Sequence, residues 1–250
     1  MLVGRTAIVT GGGRGIGAAF SIGLAKAGAS VLVADIEEGA AKDVAASIRN
    51  GGGTAIHCGV DVTKVDQVNA MVRAADEAFG GVDVLINNAA MYAALKRSSF
   101  FDISPDEFDR VLAVNVKGAW LTTSSVFPSM RARGQGKIIN VSSSSVFTAT
   151  NRLAHYVASK AGIIGLTRAL ARELGDYNIC VNALLPGMTD SQSNGAITSA
   201  ERHDEEASAR SIKRVQVPDD LVGTAVYLAS DASNFVTGQS LLVDGGRYFH

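Results

Sequence analysis

Short apolar runs alternate along this 250-residue chain with longer segments in which apolar residues recur at helical spacing. Most of the runs are apolar at consecutive positions, which is typical of parallel strands covered on both faces. The predicted strands span 6–10, 30–35, 55–62, 82–87, 137–143, 179–185 and 240–244, and the predicted helices span 15–28, 38–50, 64–80, 105–133, 153–175 and 218–231. This order predicts an α/β fold, a doubly wound (Rossmann) parallel sheet of about seven strands with helices on both faces.

No shift in composition divides the chain, so we expect residues 1–250 to form a single domain. One stretch, 188–214, is polar, rich in serine and without strong periodicity. An irregular segment of that length inside a compact domain usually serves as a functional lid or a mobile loop. We therefore expect a mobile substrate lid at about 188–214.

Charge and composition exclude several functions. A formal net charge of -1 and a pI near 6.4 do not fit a nucleic-acid or acidic-membrane partner, which requires clustered lysine and arginine. Cys58 and Cys180 lack metal-ligand spacing, and no signal peptide or long apolar segment precedes the first predicted strand. The sequence contains no G-x-S-x-G, H-E-x-x-H or G-x-x-x-x-G-K-[ST] motif. We expect a soluble, cytoplasmic protein that binds a small molecule and no metal.

A glycine-rich turn, TGGGRGIG at 10–17, joins the first predicted strand to the first predicted helix. Gly11, Gly15 and Gly17 would let backbone N–H groups and a helix N-terminus approach a pyrophosphate, which side chains there would obstruct. The spacing differs from the common G-x-G-x-x-G, and glycine turns also join strands to helices for structural reasons alone. The turn therefore indicates dinucleotide binding only in combination with other features.

Asp35 provides such a feature, because it ends the second predicted strand about twenty residues after the turn. A carboxylate there accepts hydrogen bonds from the adenosine ribose hydroxyls and repels a 2′-phosphate, which favours NAD over NADP. Arg14, within the glycine turn, favours NADP more weakly, since a basic side chain could contact that phosphate. Asp61 and Val62 are candidates for contacting the adenine, although Asp61 could equally cap the next helix.

Tyr156 and Lys160, in the segment YVASK, lie four residues apart and therefore share one face of a predicted helix. A free tyrosine has a pKa near 10, and a neighbouring cation favours its phenolate form. Lowering that pKa by about two to three units would make the phenol an effective base at neutral pH. Without other motifs, a Y-x-x-x-K spacing is common, and the two side chains are then usually neighbours on the protein surface.

Further motifs accompany this pair along the chain. The full set is TGGGRGIG, NNAA at 87–90, Asn115 in AVNVKGAW, INVSSSS at 139–145, YVASK, LLPGMT at 184–189 and FVTGQSLLVDGG at 235–246. In this order and spacing the set resembles the short-chain dehydrogenase/reductase family, specifically its compact NAD-dependent members, over essentially the whole chain. The resemblance implies an oxidoreductase that interconverts a secondary alcohol and its ketone.

The resemblance implies a catalytic set of Asn115, Ser143, Tyr156 and Lys160. Tyr156 would be the acid/base, Lys160 would lower its pKa and bind the nicotinamide ribose, and Ser143 would hold the alkoxide oxygen. Ser143 is selected because it lies thirteen residues before the tyrosine, and Asn115 would anchor a water that relays protons. The implied cofactor-binding residues are Gly11, Arg14, Gly15, Ile16, Gly17, Asp35, Asp61, Val62, Asn88, Ala89, Ala90, Tyr156, Lys160, Pro186, Gly187, Thr189 and Ser191.

Two positions depart from the family pattern. Ala90 stands where the family usually has the glycine of N-N-A-G, which puts the backbone at this point in doubt. The family expects a threonine four residues after Gly187 to contact the nicotinamide carboxamide, and Ser191 has that spacing while Thr189 lies two residues earlier. Either hydroxyl could serve.

The substrate pocket is the least determined part of the site. Its candidate residues are Tyr92, Leu95, Ser145, Phe147, Thr150, His155 and Met188. This set is mostly apolar and has few cationic groups to bind a phosphate, so we expect a small, largely apolar secondary alcohol, cyclic or aromatic. Because NAD favours oxidation, we also expect a catabolic enzyme. His155 could instead face solvent. The tail resembles that of members whose C-terminus reaches a neighbouring active site, with Tyr248 and Phe249 as candidates.

Two alternative functions share parts of this evidence. An NADP-dependent ketoreductase of the 3-oxoacyl or sugar type uses the same mechanism, and Asp35 is the feature against it. A catalytically silent dinucleotide-binding regulator should have lost a catalytic side chain, and this chain keeps all of them. The predicted helix 153–175 is apolar around most of its circumference, more than a sheet-covering helix needs. With the resemblance, this surplus implies a homotetramer.

Overall fold

A computed structural model, which describes residues 1–191 and 200–249, contains a parallel sheet. Its strands are β1 (Thr6–Thr10), β2 (Ser30–Asp35), β3 (Thr54–Gly59), β4 (Val84–Asn87), β5 (Gly136–Val141), β6 (Ile179–Pro186) and β7 (Ser240–Val243). They are ordered β3-β2-β1-β4-β5-β6-β7, and every pair is parallel. The order reverses between β1 and β4, and such sheets bind ligands beyond the carboxyl ends of the strands at this point. The predicted doubly wound sheet is confirmed.

Helices cover both faces of the sheet. They are α1 (Gly15–Lys26), α2 (Glu38–Asn50), α3 (Val65–Phe79), α4 (Pro105–Leu112), α5 (Gly118–Arg133), α6 (Ser145–Thr148), α7 (Ala154–Leu174), α8 (Ala200–Ala209) and α9 (Asp219–Ala229). Phe20 of α1 packs with Val9 in one apolar cluster, and Met71 of α3 packs with Ile8 in a second. Successive side chains of a strand point to opposite faces, which explains why the strands are apolar at consecutive positions.

The predicted helix 105–133 is divided by a π-helical turn, Ala113–Lys117. The N–H of Gly118 donates to the carbonyl oxygen of Ala113, five residues earlier, so one extra residue enters the helix and shifts the side chains around it. A Cβ at position 118 would lie 2.7 Å from Cγ2 of Val62, which requires glycine at this close approach. Asn115 lies within this turn and is buried.

Other predicted boundaries also differ. The predicted strands 55–62 and 137–143 end at Gly59 and Val141, so Asp61, Val62 and Ser143 belong to loops at the edge of the sheet. The helix α8 lies in the stretch 188–214 that was expected to be irregular, and residues 192–199 of the predicted lid lie outside the described residues. Among the described helices, none has the length and hydropathy needed to cross a bilayer.

Candidate active site

A cavity of about 710 Å³ lies at the carboxyl ends of β1 to β6. Most of the predicted cofactor-binding residues line it, and they come from the carboxyl ends of five strands, β1 to β4 and β6, and from α7. They are Gly11, Arg14, Ile16, Asp35, Asp61, Val62, Asn88, Ala89, Ala90, Tyr156, Lys160, Pro186, Gly187, Thr189 and Ser191. Gly15 and Gly17 are not in the wall but shape the turn beside it.

The glycine turn brings backbone close to this cavity. Gly11 and Gly15 have φ angles of 61° and 53°, in the left-handed region that favours glycine. A Cβ on Gly17 would lie 2.0 Å from the carbonyl oxygen of Gly11. No side chain of the described residues caps α1, so its first N–H groups are available to an anion at the helix N-terminus. The turn fits the pyrophosphate of a dinucleotide.

Thr10 and Asn88 fix this turn against β4. The Thr10 hydroxyl accepts the backbone N–H groups of Asn88 and Ala89, both at 3.1 Å. The side-chain Nδ2 of Asn88 donates to the carbonyl oxygens of Thr10 at 3.1 Å and of Gly11 at 2.9 Å. Asn88 therefore acts on the cavity through the backbone of the turn. Thr10 was not among the predicted site residues, although it begins the motif TGGGRGIG.

Asp35 is buried at the end of β2 with its carboxylate directed toward the glycine turn. Its Oδ2 accepts the N–H of Gly13 at 2.9 Å, and its Oδ1 accepts the N–H of Glu37 at 3.0 Å. Each oxygen has a further lone pair, so the carboxylate can still accept from a hydroxyl at the cavity wall. Arg14, which is exposed, lines the same end of the cavity.

Asp61 lines the cavity, as expected of a residue that contacts the adenine, and its side chain does not cap α3. Its Oδ1 accepts the backbone N–H of Thr63 at 2.9 Å and the Thr63 hydroxyl at 2.7 Å. At the other end of the cavity, Thr189 is buried and donates to the carbonyl oxygen of Gly187 at 3.0 Å. Ser191 also lines this end, so both candidates for the carboxamide contact lie at the cavity.

Ser143, in the loop after β5, and Tyr156, on α7, meet at the cavity. A side-chain hydrogen bond joins them, and the backbone N–H of Ser145 donates to the Ser143 hydroxyl oxygen at 3.1 Å. Burial raises the pKa of Tyr156, the negative charge of an ionised Tyr92 would raise it further, and the hydrogen bond to Ser143 opposes the rise. In this structure the phenol is therefore held in its neutral form.

Lys160 lies one helical turn from Tyr156 and is buried. Its Nζ donates to the carbonyl oxygen of Val141 at 2.8 Å and lies 5.8 Å from the centre of the Tyr156 ring. Burial lowers the pKa of Lys160 to about 8. The lowered phenol pKa expected from this pair is not found, because removal of the phenol from water raises its pKa, and the contact with Ser143, not Lys160, opposes the rise.

The side-chain amide of Asn115 joins three parts of the protein. Its Oδ1 accepts the backbone N–H of Met91 at 2.7 Å, and its Nδ2 donates to the Ser159 hydroxyl at 2.9 Å. The amide thus links the π-helical turn to the loop after β4 and to α7. Asn115 does not line the cavity, and these contacts give no support to the predicted anchoring of a water by its side chain.

The predicted substrate residues divide into two groups. Tyr92, Ser145, Thr150 and Met188 line the cavity, whereas Leu95, Phe147 and His155 do not. The prediction was wrong for these three. Leu95 packs into a small apolar core, Phe147 is 39% exposed, and His155 is fully buried with its Nε2 2.8 Å from Oε1 of Glu107 on α4.

Charged residues line this part of the cavity, contrary to the expectation of few cationic groups. They are Arg97, Arg202, Glu206, Arg210 and Arg247. Arg97 follows β4, and the others lie on α8 or beyond it. Periodicity gave no signal for them because the tertiary fold brings distant segments together. Tyr248 lines the cavity of its own chain, and Phe249 is 87% exposed.

Comparisons with known proteins agree with this architecture. A family model described as enoyl-(acyl carrier protein) reductase matches residues 11–247. An uncharacterized oxidoreductase of Mycobacterium tuberculosis is 41% identical over 247 residues, which cover 99% of this chain and 98% of that protein. The L-rhamnose 1-dehydrogenase (NAD(P)(+)) of Azotobacter vinelandii is 38% identical over 254 residues, with coverage of 99% and 98%.

A solved structure is similar over the same length. It is a gluconate 5-dehydrogenase from Burkholderia cenocepacia in complex with NADP and tartrate, with a TM-score of 0.91 and 36% identity. The match covers 98% of this chain and 96% of that one.

Proposed function

The chain belongs to the short-chain dehydrogenase/reductase family, and we propose that it transfers hydride between a secondary alcohol and a nicotinamide dinucleotide. The observation that carries this proposal is the convergence of Ser143, Tyr156 and Lys160 on the cavity bordered by the glycine turn. A regulator without catalytic activity would not need a buried phenol and a buried ammonium group beside a serine hydroxyl at one wall. Burying such groups is costly, so their retention favours catalysis.

In the proposed oxidation, Tyr156 accepts the proton of the substrate hydroxyl. Ser143 donates a hydrogen bond to the developing alkoxide oxygen, which has no proton to donate, while the N–H of Ser145 orients the Ser143 hydroxyl. Lys160, fixed by the Val141 carbonyl, places a positive charge near the phenol and stabilises its ionised form. When bound, the oxidised nicotinamide supplies the hydride acceptor and a second positive charge.

We propose NAD as the preferred cofactor. The support is the buried Asp35 carboxylate, which its contact with Gly13 holds at the wall of the glycine turn, where it would repel a 2′-phosphate. The opposing observations are the exposed Arg14 and the NADP found in the similar gluconate 5-dehydrogenase. NADP is therefore the second candidate. Steady-state kinetics measured with NAD and with NADP distinguish the two cofactors.

For the substrate, we propose a polar, polyhydroxylated secondary alcohol. The arginines of the cavity wall support it, and the names of the rhamnose and gluconate dehydrogenases are consistent with it. The alternative from sequence, a small apolar cyclic or aromatic alcohol, is supported by Met188 and by the ring of Tyr92, whose centre lies 4.9 Å from that of Tyr156. Oxidation in catabolism stays the proposed direction, since it follows from NAD.

We also propose that each chain forms a single domain with a lid, and that four copies assemble into a homotetramer in the cytoplasm. On α7, Ala158, Ala161, Gly162, Gly165 and Ala169 are exposed, and such small residues would allow another subunit to approach closely. Sedimentation at micromolar concentration tests this assembly, and a strictly monomeric species would contradict it.

The experiment that tests the proposed function measures the absorbance of reduced nicotinamide with either NAD or NADP. The alcohols are alditols, aldonates and aryl or cyclic secondary alcohols. We expect turnover with NAD and a polyhydroxylated alcohol. Absence of turnover with every alcohol and both cofactors would contradict the proposal.

A further inference from the structure

Arg97 differs from Arg210 and Arg247, two other arginines of the cavity wall, because no carboxylate in the described part of the chain compensates its charge. Its Nη1 donates to the backbone carbonyl of Asn151 at 2.9 Å, and no carboxylate of the described residues lies within 4.0 Å of its guanidinium group. Its Nε is enclosed and has no hydrogen-bond partner among the described residues. An enclosed donor without a partner is costly and is uncommon in native structures. This N–H group is therefore suited to donate a hydrogen bond to an oxygen atom of a ligand.

The two arginines nearest the C-terminal tail have structural partners instead. Arg210 donates to the carbonyl oxygens of Arg214 at 3.0 Å and of Met188, which fixes the segment after β6. Arg247 pairs with Glu206 on α8 at 3.0 Å. Carboxylates therefore compensate the charges of both, although the Nε of Arg210 is also enclosed without a hydrogen-bond partner among the described residues.

A second positive charge lies close to Arg97. Burial lowers the pKa of Arg97, the like charge of Arg202 lowers it further, and an ionised Tyr92 would raise it. Two guanidinium groups that repel each other across a cavity wall form a region of positive potential. An anion placed there would remove the repulsion and satisfy the enclosed donor.

Tyr92 fixes where this region lies relative to the reacting groups. Its ring packs against that of Tyr156 with centres 4.9 Å apart, and its hydroxyl interacts electrostatically with both Tyr156 and Arg97. Arg97 does not shift the pKa of Tyr156, nor Tyr156 that of Arg97, so Arg97 lies farther from the reacting hydroxyl than Tyr92 does. A ligand group at Arg97 must be separated from the reacting carbon by several bonds.

We propose that Arg97, assisted by Arg202, binds the carboxylate of a hydroxy acid whose reacting hydroxyl, several carbons away, is held by Ser143 and Tyr156. This assignment rests on the proposed function and narrows its substrate class to remote hydroxy acids. A planar guanidinium group matches a carboxylate geometrically. An α-hydroxy acid is too short to reach both ends.

The test compares gluconate, its neutral counterpart sorbitol and the α-hydroxy acid lactate, on the wild type and on Arg97→Gln. Binding to the NAD-loaded protein is measured by calorimetry, and turnover is measured in parallel. We expect the wild type to bind gluconate about 10- to 100-fold more tightly than sorbitol, and Arg97→Gln to lose this difference while binding sorbitol unchanged. Lactate should show no dependence on Arg97.

Lys96→Gln is the matched control, because it removes a neighbouring positive charge from an exposed position outside the cavity wall. It should retain the preference for gluconate, and a stability scan checks that both variants fold.

Unchanged gluconate binding in Arg97→Gln, or equal losses in both variants, would overturn the assignment. If sorbitol or a cyclic alcohol is turned over without a carboxylate preference, the assignment fails and the proposed function stands. If no alcohol is turned over, the proposed function fails and gluconate binding still decides the assignment.

Discussion

The carboxylate of Asp35 accepts the backbone N–H of Gly13 at 2.9 Å, which joins the end of β2 to the glycine turn after β1. A Cβ at position 13 would lie 2.9 Å from that same carboxylate oxygen, so the contact requires glycine. Asp35 therefore both holds the turn in place and puts a negative charge at the cavity wall. That charge would affect the choice of cofactor.

Asp35→Ser is expected to shift the ratio of kcat/KM for NADP over that for NAD toward NADP by about 10-fold or more. The change removes the charge that would repel a 2′-phosphate, worth on the order of 1–2 kcal/mol. Steady-state kinetics with both cofactors measure the ratio. Asp43→Asn on α2 serves as the control, since Asp43 is exposed and outside the cavity wall. A ratio that stays at the wild-type value would mean that Arg14 determines the preference.

Gly17→Ala is expected to weaken dinucleotide binding and to lower the midpoint of thermal unfolding. The new methyl group would meet the carbonyl oxygen of Gly11 at 2.0 Å, and overpacking of this kind costs about 1–3 kcal/mol. Gly39→Ala on α2 is the matched control, because no described atom lies within 4 Å of its Cβ. That control should be neutral or stabilising, by up to about 1 kcal/mol. Equal effects of the two changes would show that the turn tolerates a side chain.

Lys160 is expected to make the free energy of unfolding depend on pH. Burial lowers its pKa from 10.5 to about 8, so between these values the unfolded chain binds more protons than the folded protein. Stability contributed by this residue therefore rises with pH through the window, by up to about 1.4 kcal/mol per pH unit. Below pH 8 the lysine is protonated in both states, and the cost of its burial is fully present.

Urea unfolding of the wild type and of Lys160→Met across pH 7 to 9.5 measures this dependence. The wild type should gain stability relative to Lys160→Met above about pH 8. Below pH 10 the raised pKa of Tyr156 does not contribute, because its phenol is neutral in both states. Parallel curves for the two proteins would contradict the buried, charged lysine described above.

Asn115→Ala is expected to lower kcat and to destabilise the protein by about 1–3 kcal/mol. The change leaves the backbone N–H of Met91 without its acceptor and removes the donor to the Ser159 hydroxyl, which keeps only its bond to the carbonyl oxygen of Tyr156. Because Met91 adjoins Tyr92, which packs on Tyr156, loss of this link should loosen the wall that positions the substrate. Urea unfolding and steady-state kinetics measure the two effects. An unchanged free energy of unfolding would show that these contacts contribute little.

Much of the fold could be predicted because its signals are local. The strands β1 and β2 have the predicted ends, since each is a continuous apolar run bounded by a turn or a charged residue. The π-helical turn at Asn115 could not be predicted, because the single extra residue leaves no signal in the spacing, and the close approach of Val62 to Gly118 beside it is a tertiary contact. The helix α8 is polar and short, so its periodicity is weak.

The site residues also divide into those that local signals in the sequence predict and those that depend on tertiary packing. Residues that follow strand ends, such as Asp35 and Asn88, could be placed because parallel strands deliver their carboxyl ends to one edge. His155 and Leu95 were misplaced, since sequence proximity to Tyr156 and Tyr92 does not reveal that their side chains point into packed regions. The arginines of α8 and the tail were missed because their proximity to Arg97 is a tertiary property.

The central claim is that Tyr156 transfers the proton during hydride transfer, and Tyr156→Phe tests it most directly. The measurement is kcat with NAD and the best alcohol, together with NAD binding by calorimetry, and Tyr177→Phe, at an exposed position outside the cavity wall, is the matched control. We expect Tyr156→Phe to lose about 10²- to 10⁴-fold in kcat with NAD binding unchanged, and Tyr177→Phe to behave as the wild type. Turnover by Tyr156→Phe at close to the wild-type rate would contradict the assigned role of the phenol.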